Sequence, residues 1–213
     1  MARILKIAVL LFITGSAFAI PVYFIYKGGF KHAQVPGHQS SIPTEEFTRL
    51  KARASAIRRY VHTRHYNSKI CFLADFKMPS GVKRFFVYDL QKDSVLLSGI
   101  VAHGSCDNGF QVNARFSNKI NSGCSCTGKF SIGKKYHGRF GLAYKLYGLD
   151  SSNSNAYERN IVLHSYECVP GKEIYPLPVC NSRGCPMVSA GFLEKLMLYI
   201  ASNIQPVLIE IFN

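Results

Sequence analysis

The chain has 213 residues, and its 26 lysines and arginines against 12 acidic residues give a formal charge of +14. That length suffices for one domain with a sizeable core and an N-terminal appendage, and so large a positive charge favours polyanionic partners: nucleic acid, acidic lipid headgroups or an anionic wall polymer. Seven cysteines argue against an ordinary cytosolic chain, and their odd number leaves at least one thiol unpaired.

Residues 1–26 open with Arg3 and Lys6 and then carry no charge from Ile7 to Tyr26, a run of about 20 residues that spans a bilayer as a helix. It reads as a signal anchor or a cleaved signal peptide with Ala17, Phe18 and Ala19 at the cleavage site. The anchor is preferred because the apolar run continues through Val22, Phe24 and Ile25. The cysteines place the body on the exported, periplasmic or extracellular, side of the membrane. Residues 27–43, with Gly28, Gly29, Pro36 and Gly37, form a linker.

Residues 44–213 form the body. Thr44 is placed to cap a helix whose first turn holds Glu45 and Glu46. Its stripe of Phe47, Leu50, Ala54, Ile57 and Val61 repeats at steps of three and four. The remaining faces carry Arg49, Lys51, Arg53, Arg58, Arg59 and Arg64, a solvated surface that could also meet acidic headgroups. Nucleic acid is disfavoured, because these basic residues lack interleaved exposed aromatics.

From Ile70 the period shortens to apolar runs broken by turns: Ile70–Phe76, Arg84–Tyr88 and Val95–His103. This is a meander of antiparallel strands. A glycine- and serine-rich tract follows from Gly104 to Gly128, long enough to be a functional loop. Strands resume near Phe130, at Leu142–Tyr147 and at Ile161–His164. Ser189 then caps a helix to about Asn203, and Val207–Phe212 is a closing strand beyond Pro206. The fold class expected is mainly β with flanking helices, preceded by the transmembrane helix.

The chemistry converges on residues 181–187, Asn-Ser-Arg-Gly-Cys-Pro-Met, with His164 at a strand end upstream. A cysteine beside a glycine and an arginine, with a histidine within reach, supplies a thiolate nucleophile and its general base. Arg183 would favour the thiolate, and the glycine would let the amides of Gly184 and Cys185 face a developing oxyanion. The competing reading is that Cys185 is half of a disulfide. Economy divides the seven cysteines into six paired and one reactive. Cys168 and Cys180 bracket the segment between His164 and Cys185. Zinc is disfavoured, because Cys124 and Cys126 with His103 and Cys106 lack the usual ligand spacing. His103 reads as structural, satisfied by a hydrogen bond.

These residues resemble the catalytic domains of the murein L,D-transpeptidases, in the branch whose motif reads serine, variable, glycine, cysteine, proline. Asp75, Phe76, Pro79, Ser80, Lys83 and Arg84 are similar to that branch's first hairpin, and Val101 to Gly104 to its third strand. Phe116, Ser117, Asn118, Gly128, Tyr136, Gly138, Gly141 and Leu146 to Leu149 follow its central loop. Asn155, Arg159, Ile161 and Val162 lead to its histidine. The similarity runs from about Phe47 to Phe212 and departs from the wider family at Arg183, where histidine is common, and at Pro186 and Met187, near an expected arginine. Cys124, Ser125, Cys126 and Thr127 stand where relatives show serines and a leucine, which admits a disulfide near the cleft.

The resemblance implies an L,D-transpeptidase-like β-sandwich, no cofactor, no metal, and a monomer acting on peptidoglycan stem peptides. In it Cys185 is the nucleophile, His164 the base and acid, Gly184 and Cys185 the oxyanion donors, and Arg183 and Ser182 supporting residues. Tyr136, Gly138 and Ser165 are expected to bind substrate. An L,D-carboxypeptidase is the alternative outcome of the same chemistry. A non-catalytic, membrane-anchored wall-binding protein and a thiol protease of ordinary peptides are the rivals.

Overall fold

The computed structural model describes residues 42–213. The proposed anchor and nearly all of the linker lie outside the described residues, among which no helix is long and apolar enough to cross a membrane. The first element is helix α1 (Thr44–His62), where Leu50, Ala54, Ile57 and Val61 are buried as their spacing requires. Thr44 does not cap it: Pro43 occupies the N-cap position, and Thr44 is the first helical residue.

Eight strands follow: β1 (Ile70–Asp75), β2 (Phe85–Asp89), β3 (Ser94–Gly99), β4 (Gly128–Gly138), β5 (Gly141–Gly148), β6 (Val162–Ser165), β7 (Met187–Val188) and β8 (Leu208–Phe212). Helix α2 (Ala190–Ala201) precedes β8, and its N-cap Ser189 accepts a hydrogen bond from the Phe192 amide. The strands do not form two separately paired layers, as a sandwich would. They make one sheet in the order β3-β2-β1-β8-β4-β5-β6-β7. The meander β1–β2–β3 is antiparallel, but its inner edge is extended by the closing strand β8, parallel to β1 and antiparallel to β4.

The sheet bends around its core. Phe85 and Val87 of β2 share one apolar cluster with Leu163 of β6 and Val188 of β7, although five strand spacings separate β2 from β6, about 24 Å in a flat sheet. Helix α2 fills the concavity. Its Phe192 meets Phe85 edge-on at 5.5 Å and lies where a side chain on Gly99 would be. The opposite face of β1, β2 and β8 packs on α1.

Much of the basic surface expected on α1 is turned to the domain's own carboxylates. Arg49 meets Asp75 at 2.7 Å, Arg53 meets Glu210 at 3.4 Å, and Lys51 and Arg58 both reach Asp93 at 3.0 Å. The first pair ties the helix to the sheet, because Asp75 is fully buried at the end of β1. Removing one partner of such a pair strands a charge away from water. Arg49→Ala is expected to cost about 3 kcal/mol, read as a lowered urea midpoint with an unchanged m-value; a loss below a few tenths would show that the pair contributes nothing.

Candidate active site

Sheet register assembles the site. His164 on β6 is paired with Ala143 of β5 on one side and Met187 of β7 on the other, and Ala143 is paired with Tyr136 of β4. Cross-strand partners and residues two apart share a face. Tyr136, Lys145, Val162 and His164 therefore point the same way, and the turn before β7 delivers Cys185 to them.

That turn is closed by its own serine. The Ser182 hydroxyl donates to the Cys185 carbonyl at 2.6 Å and accepts from the Gly184 amide at 3.0 Å. Gly184 has φ +111°, and a Cβ there would lie 2.6 Å from the Cys124 carbonyl oxygen, so the position demands glycine twice over. The turn is also sewn to the strand before it. Ser182 donates its amide to the His103 carbonyl, Ala102 pairs with Met187, and the Asn181 side chain brackets the backbone of Gln111.

The Cys185 thiol is unpaired and half-buried, with Sγ 3.7 Å from the Asn160 carbonyl oxygen. Burial pushes its pKa up. The Val162 amide and the charges of Arg159 and Lys145 pull the other way without reversing the shift. Burial likewise lowers the pKa of His164. Its Nδ1 lies 3.0 Å from the Ser165 carbonyl oxygen, which can only accept, so Nδ1 carries the proton and Nε2 is the free base. Both shifts favour the neutral thiol and the neutral imidazole over the ion pair. Phe140, at the tip of the β4–β5 hairpin, stacks on the imidazole with centroids 5.2 Å apart and 21° between planes. Beyond it a cleft of about 510 Å³ is lined by Arg139, Phe140, Ser165, Tyr166, Glu167 and Ala190, among others.

Several expectations are corrected. Arg183 does not serve the thiol: its exposed side chain reaches Asp107 at 3.5 Å. Arg159 takes that place. Its guanidinium donates to the Ser117 carbonyl at 2.7 Å, to the Ser122 hydroxyl at 3.2 Å and to the Cys124 carbonyl, and it would touch a side chain at Gly184. The Gly184 amide, expected to face an oxyanion, is held by Ser182. Four cysteines rather than six are paired, as Cys106–Cys124 and Cys168–Cys180, leaving Cys71 and Cys126 buried as thiols besides Cys185.

Among the substrate-binding candidates, Tyr136 lies near enough to Cys185 for a thiolate to raise its pKa, although burial is the larger cause. Gly138 is bare because Tyr136 lies across it, a Cβ there falling 2.9 Å from the ring. Ser165 contributes its carbonyl to His164 and lines the cleft. Arg159, Asn160, Lys145 and Phe140 escaped a role in the sequence reading. Only Phe140 had a local signal, an aromatic at a hairpin tip between Gly138 and Gly141.

Fold and site together define a mainly β domain that presents an imidazole on one strand and an unpaired thiol in the turn leading into the next. A family model described as the L,D-transpeptidase catalytic domain matches residues 43–207, well over half of the chain, which therefore belongs to that family. A search of curated proteins finds no match. Similar solved structures include an L,D-transpeptidase from Mycobacterium smegmatis, with 14% identity, TM-score 0.40, and coverage of 68% of this chain and 59% of that one. The helical cell shape determining protein Pgp2 from Campylobacter jejuni has 13% identity, TM-score 0.41, and coverage of 76% and 55%. An L,D-transpeptidase from Xylanimonas cellulosilytica has 13% identity, TM-score 0.37, and coverage of 75% and 69%. The chain thus spans less than two thirds of the length of the first two.

His103 behaves as a structural residue, fully buried between Arg84 at 2.8 Å and Asn181 at 3.3 Å. Burial and then the Arg84 charge lower its pKa to about 4. The unfolded chain binds this proton from about pH 6.5 downwards and the folded one only near pH 4, so stability is lost as pH falls across that window. His103→Gln should remove this slope, so that the gap between mutant and wild-type unfolding free energies changes by about 3 kcal/mol from pH 7 to pH 4. Gly184→Ala should destabilise by about 1–3 kcal/mol and alter the alkylation rate of Cys185, measured with iodoacetamide.

Proposed function

We propose that this protein is a cysteine-dependent peptidoglycan L,D-transpeptidase. The observation that carries the reading is the unpaired Cys185 thiol, set on the same sheet face as an imidazole whose Nδ1 proton is pinned to the Ser165 carbonyl. His164 Nε2 takes the thiol proton as sulfur attacks the carbonyl before the terminal D-amino acid of a stem peptide. The carbon–nitrogen bond breaks, the amine leaves with the proton from His164, and a thioester remains.

Because Ser182 already holds the Gly184 amide, the oxyanion donor assigned is the amide of Cys185 itself, with Ser182 fixing the turn. Arg159 and Lys145 lower the cost of the thiolate. A second stem's amine, giving its proton to His164, then displaces sulfur and forms a cross-link. Water would yield an L,D-carboxypeptidase instead. The Phe140 ring over the imidazole supports transfer, since it shields one face of the base from bulk water.

The two disulfides support action on the exported side of the membrane, with residues 1–26 as the anchor or leader and a monomer as the acting unit. The test is incubation of the full-length protein with disaccharide tetrapeptide and measurement of product masses. A cross-linked dimer lacking one terminal residue is expected from the wild type and almost none from Cys185→Ala. His164→Ala should fall by about a hundred- to ten-thousand-fold. A carbapenem should add its mass to the wild type and not to Cys185→Ala; a product formed without the thiol would sink the proposal.

A further inference from the structure

The sheet face that carries the thiol and imidazole also carries a pair of exposed aromatic rings. Tyr147 on β5 and Tyr157 in the following turn stack at 5.6 Å with 12° between their planes, yet they are 42% and 56% exposed. The arrangement is built in. A Cβ on Gly133 would fall 2.4 Å from Tyr147 Cε2, so the tyrosine ring lies flat across β4 only because that position is glycine. Lys145 Nζ stands 5.4 Å from the Tyr157 ring and 5.8 Å from the Tyr136 ring, and it is anchored at 2.8 Å by the Asn160 side chain. Asn160 is also the residue whose carbonyl faces Cys185 Sγ. The tyrosine pair is thus contiguous with the nucleophile.

The register fixes the order of parts along this face. Tyr147 lies two residues beyond Lys145, Lys145 is paired with Val162 beside the thiol, and Ala143 is paired with His164. Past His164 come Ser165, Tyr166 and the cleft under Phe140. Resting on the transpeptidase reading, polarity follows from the proton transfer. His164 must protonate the departing amine, so the leaving D-amino acid lies on the imidazole side of sulfur. The acyl part of the donor then extends the opposite way, over Lys145 towards Tyr147 and Tyr157.

We propose that the Tyr147–Tyr157 pair is a saccharide platform that binds the sugar carrying the donor stem. In a disaccharide tetrapeptide cut before its fourth residue, three residues separate the scissile carbonyl from the sugar, about 10 Å of extended chain. Two residues along β5 and one step across to β6 put the Tyr147 backbone roughly 10 Å from that of Val162, whose amide faces the Cys185 thiol. Exposed flat rings bordered by an ammonium and an amide suit a pyranose, which offers an apolar C–H face to a ring and hydroxyls to the border. A purely apolar partner would desolvate Lys145 without pairing it.

The test compares full-length wild type, Tyr157→Ser, Tyr157→Phe and Tyr147→Ser on two donors, disaccharide tetrapeptide and free tetrapeptide. The ratio of kcat/KM for the sugar-bearing donor to that for the free peptide should fall about tenfold in each serine variant, mainly through KM, and recover in Tyr157→Phe. An unchanged ratio, including an equal loss on both donors as expected of mere misfolding, overturns the proposal. Binding of an N-acetylglucosamine tetramer to Cys185→Ala, weakened by adding Tyr157→Ser, reports on the platform without catalysis. Should the wild type turn over neither donor, the transpeptidase reading fails, while this binding measurement still decides the platform.

Discussion

The site depends on the shortest ladder between strands among the described residues, the parallel pairing of the two-residue strand β7 with β6 that sets Met187 beside His164. Two residues of strand cannot hold themselves, since so short a pairing returns little for the backbone entropy it costs. Its neighbours hold it. Ala102 bridges Met187 from the other side, the Ser182 backbone is joined to His103 and Ser105, and Asn181 clasps Gln111. His103 is itself fixed by Arg84, a buried guanidinium that donates to the Val101 and Met78 carbonyls and lies 4.6 Å over the Phe76 ring. The placement of one sulfur thus reaches back to the first hairpin.

The long tract between Gly104 and Gly128 is the second support. Cross-linking Cys106 to Cys124 closes a loop whose chain entropy would otherwise oppose order by about 3 kcal/mol, and Arg159 then gathers Ser117, Ser122 and Cys124 under Gly184. The same guanidinium is one of two charges that oppose the burial of the thiol. Burial wins in that contest, and it also wins at His164. Both shifts run against charge separation, so the surroundings of the thiol and the imidazole oppose an ion pair.

Helix α1, the strands other than the two-residue β7, and the capped helix α2 were legible in the sequence because period, turn residues and caps are local signals. The insertion of β8 beside β1 was not, since pairing across 137 residues leaves no local trace, and a two-layer expectation resulted where one bent sheet exists. That Cys185 is an unpaired thiol beside the strand of His164 was anticipated from residue type and from the ordered series around them. The role given to Arg183 was not sustained: adjacency in sequence suggested a contact, but a turn at Gly184 with positive φ sends the neighbouring side chain out to Asp107. The residue that replaces it, Arg159, sits in a polar turn 26 positions upstream of Cys185, and only the fold joins the two.

The same limit applies to the net charge. A total of +14 names a preference for anions but no address. On α1 much of the charge is spent internally, against Asp75, Asp93 and Glu210. The β4–β5 hairpin is different: Lys134, Lys135 and Arg139 stand on the strand and tip that overhang His164, where exposed backbone and bare glycines let long side chains reach solvent. The cleft under Phe140 is lined by Arg139 and Glu167 alike, so it carries both signs of charge below a basic hairpin. The total of +14 thus divides into charge neutralised by carboxylates on α1 and charge left open on one hairpin, and only the fold decides which lysine or arginine falls into which group.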